Sequence, residues 1–172
     1  MDSKASANMI DQLCTQCGLC CDGTLFADVE LEDESEEAVL ESMGLAIDTD
    51  GPPVLLQPCM ALDGTRCTVY EHRPGCCRTF ECRLLQGVQR RQITPEDALR
   101  RVAEARSLAV ALNTLCLEAG EIAEELPLKE RAIEVLAGPI EVGDDQAGSL
   151  RTKIASAMDA LGQHIHEHFM GD

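Results

Sequence analysis

Nine of the ten cysteines fall between Cys14 and Cys82, opening with the run Cys14-x-x-Cys17-x-x-Cys20-Cys21. This spacing constrains the fold more than any apolar pattern in the chain, because a tight turn across two-residue gaps brings successive sulfurs toward one point. Thiolates are soft, anionic ligands, and four of them at about 2.3 Å satisfy a zinc ion. Three from such a run, with a fourth from elsewhere, equally satisfy an iron–sulfur cluster. A second group, Cys59, Cys67, Cys76, Cys77 and Cys82, can supply it. At four sulfurs per centre, nine cysteines serve two sites with one left over, or one site with several structural thiols, and spacing alone does not apportion them.

A disulfide framework is the competing reading for a short secreted chain. It fits poorly. Met1-Asp2-Ser3-Lys4-Ala5-Ser6 carries no apolar stretch before Cys14, so no signal peptide is readable, and no run approaches the roughly 18 apolar residues of a membrane span. The expectation is a reducing cytoplasm, where clustered cysteines serve as ligands or redox groups. Cys116 stands apart on the apolar face of an expected helix, where a lone cysteine is a small core hydrophobe.

Hydrophobic residues make up 45% of the 172, with no Trp, one Tyr and three Phe, so the core must be aliphatic and cysteine-based. The formal charge is −17, and an acidic run from Asp28 to Glu41 reads as a solvated helix face rather than a calcium loop, whose Gly and regular acidic ladder it lacks. Arg66 to Arg106 reverses the sign, with nine arginines against five acids. Overall acidity and the shortage of aromatic platforms argue against nucleic acid. Arg73, Arg78 and Arg83 are better placed to compensate anionic sulfur.

Periodicity predicts a strand at Leu25–Leu31, a helix at Ser35–Met43 and a strand at Val54–Gln57. Further on, Thr94 suits an N-cap, Pro95 the first helical position and Asp97 the first turn. Leu99, Val102, Ala105, Ala109, Leu112, Cys116 and Ala119 follow at helical steps, with Gly120 as the stop. Shorter patterns predict helices over Leu128–Ala137 and from Leu150 to Phe169, with Gly143–Gly148 as the last loop. The sum is an α+β chain: a cysteine-rich, metal-organised part at 1–92 and a helical region at 93–172 packed on it. His164 and His168 share a helix face but no carboxylate constellation, and read as solvated. His72 lies inside the cysteine loop as a surplus ligand candidate.

These residues resemble a known family. Cys14-x-x-Cys17-Gly18-x-Cys20-Cys21, Leu25-Phe26-Ala27-Asp28-Val29, Gln57-Pro58-Cys59, Leu62-Asp63-Gly64 and Cys67-Thr68-Val69-Tyr70-Glu71-x-Arg73-Pro74-x-x-Cys77-Arg78-x-Phe80-x-Cys82 are similar to the YkgJ-type CxxCxxCC cysteine-cluster family, over about residues 12–88. The resemblance implies zinc or iron chelation through Cys14, Cys17, Cys20, Cys21, Cys59, Cys67, Cys77 and Cys82, with Cys76 an addition, either a spare thiol or a replacement for Cys77. An iron–sulfur cluster, [4Fe-4S] in type, is suggested because flagellin lysine N-methylases carry a similar motif. Three functions follow as expectations: an iron–sulfur or iron protein for electron transfer or sensing, a structural Zn2+ module for a protein partner, and a metal-dependent protein-modifying enzyme. No phosphate-cradling glycine loop or nucleophile elbow points to catalysis.

Ligand and core thiols should separate on substitution. Cys17→Ser supplies a harder, less acidic ligand and lowers bound metal, whereas Cys116→Ser changes packing only. Elemental analysis of the two purified variants checks this, and equal metal loss from both would abolish the distinction.

Overall fold

The structure, a computed structural model, describes residues 13–139 and 145–170. The N-terminal residues read above for a leader lie outside this range, as do Gly143 and Asp144 of the expected last loop. Seven α-helices are described: α1 (13–17), α2 (Glu34–Ser42), α3 (Gly75–Thr79), α4 (Arg83–Gln89), α5 (Pro95–Glu118), α6 (Leu128–Ala137) and α7 (Asp145–His168). Short antiparallel strands occupy the N-terminal half: β1 (Asp28–Glu30), β2 (Ile47–Asp48), β3 (Val54–Leu56), β4 (Leu62–Asp63) and β5 (Arg66–Cys67). The fold is α+β.

The first sheet has the order β1-β3-β2, pairing Val29 with Leu55 and Ile47 with Leu55. It covers a small core of Leu31, Leu40, Leu45, Leu55 and Ala61. The acidic helix α2 begins where Asp33 accepts the N–H groups of Ser35 and Glu36, and contributes Leu40 to that core. Its acids are not all solvated, since the Glu36 carboxylate accepts the Gly75 N–H at 2.7 Å and so fastens the start of α3. The β4–β5 hairpin turns through Gly64-Thr65, with Gly64 at φ 60, a conformation that favours glycine in a two-residue turn.

Thr94 caps α5 as expected, its hydroxyl accepting the Asp97 N–H at 3.1 Å, and Pro95 fills the first position. The buried face runs Ala98, Val102, Ala105, Ala109, Leu112, Cys116. Ala119, expected on that face, is the C-cap and exposed. α6 has the expected bounds. α7 starts at Asp145, so residues 145–148 form its first turn rather than a loop. Asp145 complements the helix N-terminus, and Gln146 and Ala147 are helix formers that outweigh Gly148.

α5, α6 and α7 close a second core around Leu112, Cys116, Ala132, Ile154 and Leu161. Beside it Arg131 and Glu121 form a buried ion pair at 2.6 Å. The third core joins the two halves: Leu13 and Leu19 pack with Leu84, Leu85 and Val88 of α4, Ala98, Val102 and Ala105 of α5, and Phe169.

Gly18, at φ 73, ends α1 in the left-handed region, and a Cβ there would lie 3.2 Å from Thr65 Cα. Gly18→Ala should therefore cost about 1–2 kcal/mol for the backbone conformation alone, read as a lower urea midpoint. An unchanged midpoint would show that the turn re-forms without glycine.

Candidate metal centre

Cys14 and Cys17 lie one turn apart on α1, a turn closed by the Gly18 N–H donating to the Cys14 carbonyl at 3.3 Å. Gly18 then reverses the chain, its carbonyl accepting the N–H of Cys21 at 2.9 Å and of Asp22 at 3.0 Å. The reversal delivers Cys20 and Cys21 to the interior instead of continuing the helix. Cys59 follows β3, with its N–H donating to the Cys21 carbonyl at 2.8 Å. Cys67 ends β5 opposite Leu62, whose N–H donates to the Cys59 carbonyl at 2.9 Å. Cys76 and Cys77 occupy α3, and Cys82 caps α4, its Sγ accepting the Leu85 N–H at 3.4 Å.

All nine sulfur residues line one cavity of about 330 Å3. Its other walls include Leu25, Val29, Leu40, Leu55 and Leu85, with Phe26 and Phe80 in an edge-to-face pair at 5.0 Å. Cys116 lies fully buried in the helical core, away from this cavity. No disulfide joins cysteines of the described residues.

An apolar cavity disfavours thiolate. Burial pushes the Cys17 thiol from an ordinary 9.0 up to about 12, with the Cys82 and Cys14 sulfurs adding to the rise and the Leu19 N–H opposing it. Burial likewise takes Cys21 to about 12, reinforced by Cys77, Cys59 and Cys67. Cys20 is raised by burial and then by Cys17 and Cys82. Cys59 and Cys82 are raised by burial against the N–H groups of Ala61 and Leu85. At neutral pH these groups hold their protons, and a cation able to displace them removes the penalty of charging the pocket.

Among the described residues, no three His, Cys, Asp or Glu side chains are already drawn together as a formed metal cage. The donor set nevertheless fits a soft metal or an iron–sulfur cluster, both of which thiolates hold. A second observation agrees: Gln57 is buried in the cavity wall with its Oε1 unpartnered among the described residues. A buried polar atom without a partner costs free energy that a ligand in the cavity would offset.

The CxxCxxCC family model, described as a "putative zinc- or iron-chelating domain", matches residues 13–102. The chain belongs to this family. Metal binding is the function class that membership supports. No curated protein and no solved structure matches the chain. The CxxCxxCC match runs past the cysteines through α4 into the first turns of α5, so the domain includes the helices that carry the shared core.

Several residues of the CxxCxxCC motif have roles that spacing did not show. Arg73 lines the cavity, stacks over Tyr70 at 3.7 Å from the ring centroid and opposes the rise of Cys77, which burial and Cys59 push to about 11. Arg78, expected to face sulfur, instead donates to the backbone carbonyls of Arg73 at 2.6 Å and Glu71 at 2.9 Å. It fastens the loop that carries Arg73. Arg83 is exposed and absent from the cavity wall. Arg106, far along the sequence, donates to the Cys17 carbonyl at 2.8 Å. Gln57 could be found in the sequence only as a polar residue ending an apolar strand, which does not tell a buried amide from an exposed one.

The histidines lie elsewhere. His72 is exposed and outside the cavity wall. His164 is half-buried rather than solvated, with Nε2 3.0 Å from the Arg101 carbonyl and its ring against that of His168 at 4.6 Å. Burial, with Arg101, lowers the His168 pKa. α5 covers this pair, which is why the solvated reading fails. No helix among the described residues is long and apolar enough to cross a membrane.

Because the thiols of Cys17, Cys21 and Cys77 are raised to about 12, about 12 and about 11, a metal must expel their protons, and retention must weaken as pH falls. Zinc titrated into the reduced, metal-free protein in weak buffer at about pH 7 should acidify it by roughly one proton per ligating sulfur. Loading without acidification would show that other atoms hold the metal.

Proposed function

We propose that this CxxCxxCC protein holds an iron–sulfur cluster, or iron, through cysteine thiolates for electron transfer or sensing. The observation that carries the reading is the cavity itself. A lone zinc draws four sulfurs to about 2.3 Å and closes its own site, whereas nine thiols around about 330 Å3 leave room for the larger inorganic core. Backbone N–H groups already point to the sulfurs of Cys17, Cys59 and Cys82. Such bonds, together with cluster charge and solvent exposure, set the potential of an iron–sulfur centre. Cys14 is exposed, giving the centre an edge within reach of an oxidant or a redox partner.

The ligand candidates are Cys14, Cys17, Cys20, Cys21, Cys59, Cys67, Cys77 and Cys82, and Cys76 is the spare thiol. Structural zinc is the second reading, favoured by the smallness of the core beneath the sheet, which has five buried residues. A metal cross-link would contribute the stability that such a core lacks.

Anaerobic purification separates the two. The expected product is brown, with iron and acid-labile sulfide in equal amounts. A colourless protein with stoichiometric zinc would transfer the assignment to the structural module.

A further inference from the structure

The nine sulfurs share a cavity, but the backbone delivers them to it from two sides. Cys14 and Cys17 come from α1 and Cys82 from the cap of α4, and both Cys17 and Cys82 pack against the core that joins the two halves of the chain. Cys59 and Cys67 pack instead against the small core beneath the sheet. Cys21 is tied to that second side by the Cys59 N–H, and the hairpin register brings Cys67 to the same place through Leu62. Cys20 and Cys21 are consecutive in the turn after Gly18, and Cys21 is the one tied to the second side.

The influences of sulfur on sulfur follow the same division, although Asp22 acts on both Cys17 and Cys21. Cys17 feels Cys82 and Cys14, while Cys21 feels Cys77, Cys59 and Cys67. Cys77 feels Cys59 and Cys67, with Cys76 beside them. Cys20, influenced by Cys17 and Cys82, is also influenced by the adjacent Cys21, which links the two sides.

We infer that the cavity holds two thiolate centres, one on Cys14, Cys17, Cys20 and Cys82 and the other on Cys21, Cys59, Cys67 and Cys77, joined through the Cys20–Cys21 peptide. The inference rests on the metal-binding reading above and goes beyond it by giving the number of centres and the ligands of each. Each set has four soft donors, the complement of one tetrahedral metal ion or one cluster. Cys76 falls outside both sets. The interleaved order, with Cys82 completing the first set after the second has been supplied, means that neither centre belongs to a separate segment of sequence.

The test uses cobalt(II) as the probe, titrated anaerobically into the reduced, metal-free full chain while the thiolate-to-cobalt charge-transfer absorption is followed. With four sulfurs per ion, the signal should break at about two equivalents per chain. Cys17→Ser and Cys59→Ser should each lose about half of the tetrathiolate signal, and Cys76→Ser should keep the full signal. A break at one equivalent in the wild type overturns the two-centre division while leaving metal binding intact. Binding of no cobalt at all overturns metal binding as well. If either ligand variant retains its helical circular dichroism yet loses both equivalents, the sulfurs form one shared centre and the division is wrong. The wild-type break decides the matter should a variant fail to fold.

Discussion

A thiolate can persist inside an aliphatic pocket only if a cation shares its charge, and the rest of this structure follows from that constraint. Leu25, Leu40, Leu55 and Leu85 supply no polarity, and Arg73 is the guanidinium in the cavity wall. One arginine does not neutralise a set of four sulfurs. Protonation satisfies the pocket in the absence of metal, and metal satisfies it without protons. The pronounced upward shifts at Cys17, Cys20 and Cys21 show how strongly the pocket favours the protonated thiol, a penalty that a soft cation would remove.

The long helix α5 serves this site by fixing backbone rather than by supplying ligands. α5 contributes Ala98, Val102 and Ala105, residues that let α1 and α4 approach closely, and Arg106, beside Ala105, holds the Cys17 carbonyl. Gly23 lets the chain after Cys21 come near Pro127 before α6, where a Cβ would stand 3.1 Å from the Pro127 Cα. The arginine-rich segment thus has a local use. Arg73 faces sulfur, Arg78 holds the loop that presents it, and Arg106 braces α1.

What the sequence showed depended on how local the signal was. The Thr94-Pro95 start of α5, the bounds of α6 and the core position of Cys116 rest on capping chemistry and a 3.6-residue repeat, and all were legible. The gathering of the cysteines was legible in the Cys-x-x-Cys run, but α1, α3 and α4 are too short to show a period, and β2, β4 and β5 have two residues each. The separation of the sulfurs into two sides depends on the backbone bond of Cys59 to Cys21 and on the packing of Cys17 and Cys82 against one core. These pairs are far apart in the chain, and spacing carries no trace of them. The inward turn of His164 was hidden for the same reason, because α5 lies across it.

The Arg83 N–H donates to the Phe169 carbonyl at 2.9 Å, and the Phe169 ring sits in the same core as Leu13 and Leu19. A ribosome releases the cysteines long before it releases this phenylalanine. During that interval the thiols have been made, but the floor beneath Cys17 and Cys82 has not been laid. The pocket therefore cannot be completed until Phe169 has been made, and the nascent chain passes through a stage in which its sulfurs are open to any metal or oxidant in its surroundings.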